Sequence, residues 1–209
     1  MYPEGKCRLP KNWPDNVRFT QSLHYHSSVT PAILAFLRRA RHSIGTGSGL
    51  DTHAPCIIKK IHETGHPACG QSGLFALRKI PAKAHIIDYI GEVHCDDRPT
   101  SNYDISLYRF QDGVSVGVDA AAMGNEARFC NDYRGVRMRP NAEFRDRRTE
   151  TEELRIGIWS TEDIRKGDEI LVSYGKSWWA GRTSAVPETA VRARNEGEYD
   201  CPEERCITH

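Results

Sequence analysis

No apolar run in the 209 residues approaches the length that spans a bilayer, so a membrane helix is not expected. The opening Met1-Tyr2-Pro3-Glu4-Gly5 lacks the apolar core of an export signal. Net charge is nearly absent: 29 Lys+Arg against 28 Asp+Glu leave +1. That balance argues against a whole-molecule electrostatic grip on nucleic acid, while a local basic patch stays open. Seven cysteines is an odd number, and they are scattered without a regular framework. With no export signal, free thiols in a reducing compartment are expected, in the nucleus or cytoplasm. No Gly-Lys-Ser/Thr follows the glycines at Gly70 and Gly73, which excludes a P-loop, and no convincing dinucleotide-binding helix opens there.

What is present is a soluble globular balance, 38% hydrophobic and 27% charged, in a length that suits one domain with flanking arms or two small domains. Residues 1–29 are polar and broken by prolines, and read either as a solvated arm or as one that docks through Trp13-Pro14. Thr30-Pro31 is a helix start, a capping hydroxyl followed by proline at the first helical position. The spacing of Ile33, Leu34 and Leu37 predicts a helix from Pro31 to about Arg41, with Arg38, Arg39 and Arg41 in its last turn. Gly45-Thr46-Gly47-Ser48-Gly49 reads as a linker. The expected organisation is an N-terminal arm over 1–50, a main domain over 51–181 and a charged tail over 182–209, with a further helix over Pro187–Arg194.

After the linker the texture becomes short strands punctuated by glycine. Ile57–Ile61, Gly73–Leu77, Ile86–Ile90, Val114–Val118, Leu154–Ile158 and Glu169–Tyr174 carry branched residues, several with a period of two. The fold class is therefore mainly β with minor helices: many short strands folded over one another.

Four motifs stand in series. Gly70-Gln71-Ser72-Gly73-Leu74-Phe75-Ala76 is a glycine turn leading into a strand, where backbone amides can approach a ligand closely. Tyr89-Ile90-Gly91-Glu92 ends the next strand. Asn125-Glu126-Ala127-Arg128-Phe129-Cys130-Asn131 leads into Asp132-Tyr133-Arg134-Gly135. About forty residues later comes Gly167-Asp168-Glu169-Ile170-Leu171-Val172-Ser173-Tyr174-Gly175. Each is weak alone, since glycine pairs make turns, asparagines cap their own backbone and tyrosines sit at sheet edges.

In this order the four resemble the signature of the SET-domain protein lysine methyltransferases, over roughly Ile57 to Trp179. The Asn-Asp-Tyr-Arg-Gly run and the Tyr-Gly-Lys-x-x-Trp ending resemble small fungal SET proteins most closely. The resemblance implies small curled sheets in which the late segment threads beside the Arg-Phe-x-Asn loop to make a pseudoknot. It implies S-adenosylmethionine held by Gly73, Leu74, Phe75, Tyr89, Arg128, Phe129 and Asn131, with Trp178 packed on the adenine. It implies a lysine channel on the opposite face, with Tyr174 as catalytic tyrosine, Tyr103 as a second channel tyrosine and Tyr89 as a weaker candidate. Histones or nucleosomes are the family's commonest substrates, and the alternative is a catalytically silent SET module that binds peptide or nucleic acid.

The chemistry suits these residue types. A free lysine has a pKa near 10.4, so about one in a thousand is neutral near pH 7. An apolar aromatic channel disfavours the ammonium. In-line transfer depends on alignment, which can supply roughly 7–11 kcal/mol. No metal is required.

The chain also departs from the family. The usual Asn-His-Ser-Cys-x-Pro-Asn is replaced by a longer loop, with Pro-Asn only at Pro140-Asn141. The tail offers Cys201 and Cys206 alone, so the family's zinc site is expected to be missing. Cys56, His62, His66 and Cys69 are a second, loosely spaced metal candidate. Val172 stands where relatives often carry Phe or Tyr, which leaves room for more than one methyl. From Arg128 to Arg148 there are seven arginines and three acids. They read either as a solvated loop paired with local acids or as a basic surface for nucleosomal DNA, RNA or an acidic peptide.

Overall fold

The computed structural model describes residues 9–39 and 54–175. The chain divides into two compact units, Met1–Ser173 and Tyr174–His209. The Gly45–Gly49 linker, Trp178, the Pro187–Arg194 helix, Cys201 and Cys206 lie outside the described residues.

In chain order the first unit contains β1 (Arg18–Phe19), β2 (His24–Tyr25), α1 (Pro31–Leu37), β3 (Cys56–Lys60), β4 (Ser72–Ala76), β5 (His85–Tyr89), β6 (Glu92–His94) and β7 (Asp104–Arg109). There follow β8 (Ser115–Asp119), β9 (Met123–Gly124), a 3-10 turn (Glu126–Phe129), β10 (Asn131–Asp132), β11 (Ala142–Arg148), β12 (Leu154–Ser160) and β13 (Leu171–Val172). They form five small sheets, ordered β1-β9, β10-β13, β11-β12-β5, β2-β6-β8-β7 and β3-β4. Branched side chains on the inward faces (Ile58, Leu74, Val93, Val116, Val118, Ile158) are essentially buried and build the core.

The strands expected from period-two alternation fall where the pattern puts them, within one or two residues, except the last. Glu169–Tyr174 narrows to the two residues of β13, because Asp168 and Ile170 instead bond across to β4. Seven strands escape the pattern, and five of them (β1, β2, β6, β9 and β10) are only two or three residues long. β7 alternates only weakly, and β11 lies inside the arginine-rich stretch read as a loop. β11 is an edge strand paired along its whole length with β12, and its long polar side chains stand on a half-solvated surface.

α1 is shorter than its sequence suggests. Thr30 caps it, its hydroxyl accepting from the Ile33 amide. The helix ends at Leu37 rather than near Arg41, and Arg38 has left helical geometry at φ −112°, ψ 69°. Arg38 instead forms a β-bridge with Glu153, its guanidinium lying 3.2 Å from that carboxylate and 4.4 Å over the Tyr25 ring. A tertiary partner here outweighs the modest benefit of a cation at the helix C-terminus.

Of the two readings of the N-terminal residues, docking is the one observed. β1 pairs in parallel with β9 and β2 with β6. The Trp13 ring meets Phe19 and Phe129 edge-on at 5.1 and 5.7 Å. No helix among the described residues is long and apolar enough to cross a membrane.

Two carboxylates tie these layers together. Asp88 accepts two hydrogen bonds from Arg147 and one from Arg155. Glu153 accepts from Tyr25, Arg38 and Arg155. Burial alone would raise both pKa values, but His85 and Arg147 at Asp88, and chiefly Arg155 at Glu153, draw them below the ordinary range. The Tyr25 hydroxyl, half-buried and facing Glu153, is pushed up to about 12. A depressed carboxylate contributes stability that is complete above its unfolded pKa, near 4, and is lost as pH falls through the folded one. Melting temperature should therefore hold steady down to about pH 5 and fall steeply below about pH 4. In Arg147→Ala part of that acid-dependent loss should disappear, as thermal melts across pH would register.

Candidate active site

Three of the four motifs converge on one place, and hydrogen bonding shows how. Along one side of the late stretch, the Ile170 amide donates to Leu74 O, the Ala76 amide to Asp168 O and the Gly167 amide to Ala76 O, all at 2.8–2.9 Å. Residues 167–170 thus lie against β4, the strand of the glycine turn. From the next residue, β13 pairs in parallel with β10, setting Asn131 opposite Leu171 and Asp132 opposite Val172. The Tyr133 amide extends the pairing to Val172 O at 3.0 Å. The late stretch is therefore gripped by the glycine strand and then by the Asn131 loop.

Buried side chains fix the threading. The Cys130 thiol donates to Ile170 O at 3.2 Å, and its burial lifts the thiol pKa well above the usual range. Asn141 is 0% exposed and acts as a surrogate strand. Its Nδ2 donates to Glu169 O, while its Oδ1 accepts from the Leu171 amide, both at 2.8 Å. Its own amide donates to Leu171 O. The displaced Pro140-Asn141 of the longer loop therefore still reaches the late strand. The extra residues fold over a neighbour: Gly135, at φ +80°, packs so closely on Pro67 that a Cβ would lie 2.5 Å from the proline ring.

At the junction the Asn131 amide is fully directed on one side. Nδ2 donates to Glu169 Oε1 at 2.8 Å and to Ser72 O at 3.3 Å. Both partners are acceptors, so the amide orientation follows from the network. Oδ1 accepts no hydrogen bond among the described residues, and Asn131 is half-buried. Glu169 is 8% exposed in its side chain and lies against Gly73, where a Cβ would come 2.5 Å from Oε1. Gly73 is thus glycine because a carboxylate occupies the space a side chain would need. Sequence reasoning placed Glu169 inside a motif but gave it no role, and only its position before a strand hinted at one.

The aromatic candidates form a second group. The Tyr89 side chain is buried and its hydroxyl donates to Tyr103 O at 2.7 Å, so its position serves Tyr103. The half-buried Tyr103 ring lies under the Arg128 guanidinium, with 4.1 Å to the ring centroid. Arg128 is held by Nε donating to Ala120 O at 2.9 Å, and its guanidinium also lies over the Phe129 ring, 5.0 Å from the centroid. Leu74 is fully buried, and Phe75 is half-buried beneath Lys59 Nζ at 5.0 Å. Tyr174 belongs to the second compact unit, of which Tyr174 and Gly175 alone are described.

The remaining candidates separate. Cys56 sits in β3 with its thiol pushed up to about 12, first by burial and then by Glu126. His66 is turned to Glu169, and Cys69 is exposed. Among the described residues no group of three or more His, Cys, Asp and Glu is arranged to hold a metal ion. The arginines of 128–148 are engaged locally: Arg134 with Asp132, Arg137 and Arg139 with Glu162, Arg145 with Glu143, Arg147 with Asp88 and Arg148 with the Glu152 carbonyl. Local pairing is thus observed along that stretch, and it leaves the Arg139 side chain 78% exposed.

The SET domain family model matches residues 71–175. The chain is 35% identical over 109 residues to a histone-lysine N-methyltransferase, H3 lysine-36 specific, of Debaryomyces hansenii, covering 49% of this chain and 14% of that protein. It is 29% identical over 124 residues to the histone-lysine N-methyltransferase ASHH3 of Arabidopsis thaliana, covering 56% of this chain and 32% of that one. The matched region thus spans no more than about a third of these two relatives. Among solved structures, ATXR5 in complex with histone H3.1 superposes with a TM-score of 0.54 at 19% identity, over 76% of this chain and 81% of that one, and shares the fold.

Proposed function

Because the chain belongs to the SET-domain family, we propose that it is an S-adenosylmethionine-dependent protein-lysine N-methyltransferase acting on a histone or another protein in the nucleus. The carrying observation is the Asn131 amide, with both Nδ2 hydrogens committed and Oδ1 left as an acceptor where the glycine strand and the late stretch meet. That oxygen suits a ligand ammonium. The neighbouring Glu169 carboxylate forms no ion pair with any lysine or arginine among the described residues, which suits a ligand carrying positive charge. The residues therefore fit the donor. Asn131, the backbone of Gly73 to Phe75 and Phe129, and Arg128 would hold it. Bound there, it supplies a methyl group on a cationic sulfur.

The chain's own groups do the rest. Tyr103, anchored by the Tyr89 hydroxyl through its carbonyl and by Arg128 on its ring face, lines the approach of the substrate lysine. The Tyr174 hydroxyl orients the neutral amine. An aromatic, desolvated channel favours that neutral form. Val172 in place of a larger aromatic leaves space for a methylated amine to turn and react again.

Incubating the full chain with methyl-labelled cofactor and core histones, nucleosomes or cell lysate should label protein lysines. Mass spectrometry should find dimethyl or trimethyl product. Cofactor binding by calorimetry without transfer to any protein would favour the silent module, and absence of binding would end the enzyme reading.

A further inference from the structure

His66 precedes the matched family region and is 6% exposed in its side chain. Its ring is pinned from both ends. The Ala68 amide donates to Nδ1 at 3.0 Å, so Nδ1 carries a lone pair and the proton sits on Nε2. Nε2 then donates to Glu169 Oε2 at 2.9 Å. The other carboxylate oxygen, Oε1, accepts from Asn131 Nδ2. Two neutral donors thus hold one buried carboxylate, one donor on each oxygen. The loop carrying His66 is itself clamped, with Pro67 packed on Gly135 of the lengthened Asn131 loop.

We infer that His66 and Glu169 are positioning residues for the cofactor, a relay that keeps Asn131 Oδ1 turned outward as the acceptor for the ligand's amino group. This rests on the methyltransferase reading above. An asparagine amide has nearly the same shape in its two flipped orientations, and hydrogen bonding alone decides between them. With Glu169 fixed, a flip would set Oδ1 against both a carboxylate and the Ser72 carbonyl, so it is forbidden. With Glu169 free to rotate, the amide loses its strongest donor contact and the outward acceptor is no longer assured. His66 supplies the restraint that stops the carboxylate rotating.

Glutamine can replace the neutral imidazole in kind, because its amide carries one acceptor for the Ala68 N–H and one donor for Glu169. Alanine carries neither. Calorimetric titration of S-adenosylmethionine into full-length wild type, His66→Ala, His66→Gln and Glu169→Gln, with melting temperatures on the same samples, tests the relay. His66→Ala should weaken binding about tenfold, and His66→Gln should return it to within about twofold of wild type. Glu169→Gln places an amide nitrogen against one of two donors and should weaken binding by more than His66→Ala. Combined with His66→Ala, that substitution should cost less than in wild type, because one opposing donor has gone. Equal weakness of the alanine and glutamine variants at position 66, or an unchanged His66→Ala, would overturn the relay. Failure of the wild type to bind the cofactor would instead remove the functional reading beneath it.

Discussion

Replacing Tyr174 with phenylalanine should reduce methyl transfer by about 10²- to 10³-fold, the usual effect of removing one oriented hydrogen-bonding group from a reacting centre. The substitution deletes a single oxygen and keeps the ring, so packing changes little. The proposed role is directional: the hydroxyl fixes the lysine amine in line with the methyl group. Cofactor affinity does not call on that oxygen and should stay within about twofold. The two readings therefore separate in one comparison, with a large fall in turnover beside a flat binding isotherm. Turnover equal to wild type would remove Tyr174 from the chemistry and leave alignment to the channel walls.

The second large effect is on stability. Asn141→Ala should cost about 2–6 kcal/mol, because it leaves two backbone groups, Glu169 O and the Leu171 amide, buried without these partners at about 1–3 kcal/mol each. Against a total of roughly 5–15 kcal/mol for a domain, that is a large fraction. The loss should show as a lower urea midpoint with a similar slope. The damage should also spread to ligand binding, since the freed carbonyl belongs to the residue whose side chain holds Asn131. A variant with wild-type midpoint would mean that water replaces the asparagine without penalty.

The fold was legible where alternation was strong. Leu154, Ile156 and Ile158 point inward from β12, and the sequence repeats that choice every second residue. β11 was not legible, because its partner strand supplies the pairing while its outward residues are arginines and acids that read as a solvated loop. Two-residue strands such as β1, β2 and β10 are too short to show any period. The end of α1 was misjudged because Glu153, which captures Arg38, lies 115 residues away. The site divides in the same manner. Asn131, Gly73 and Phe75 stood out through motif order. The part played by His66 did not, since Glu169 is 103 residues distant and nothing in a local window joins them.

The parallel pairing of β10 with β13 has a consequence for biosynthesis. Asn131 and Asp132 leave the ribosome well before Leu171 and Val172, the residues that complete their ladder. Until those emerge, the loop has only its downstream vacancy, and the chain must then be laid in beside it instead of closing as a hairpin. Contacts of such long sequence separation form slowly. A nascent chain stalled or cleaved ahead of Leu171 would thus carry a nearly full set of sheets and still lack the ladder that joins the Asn131 loop to the late stretch.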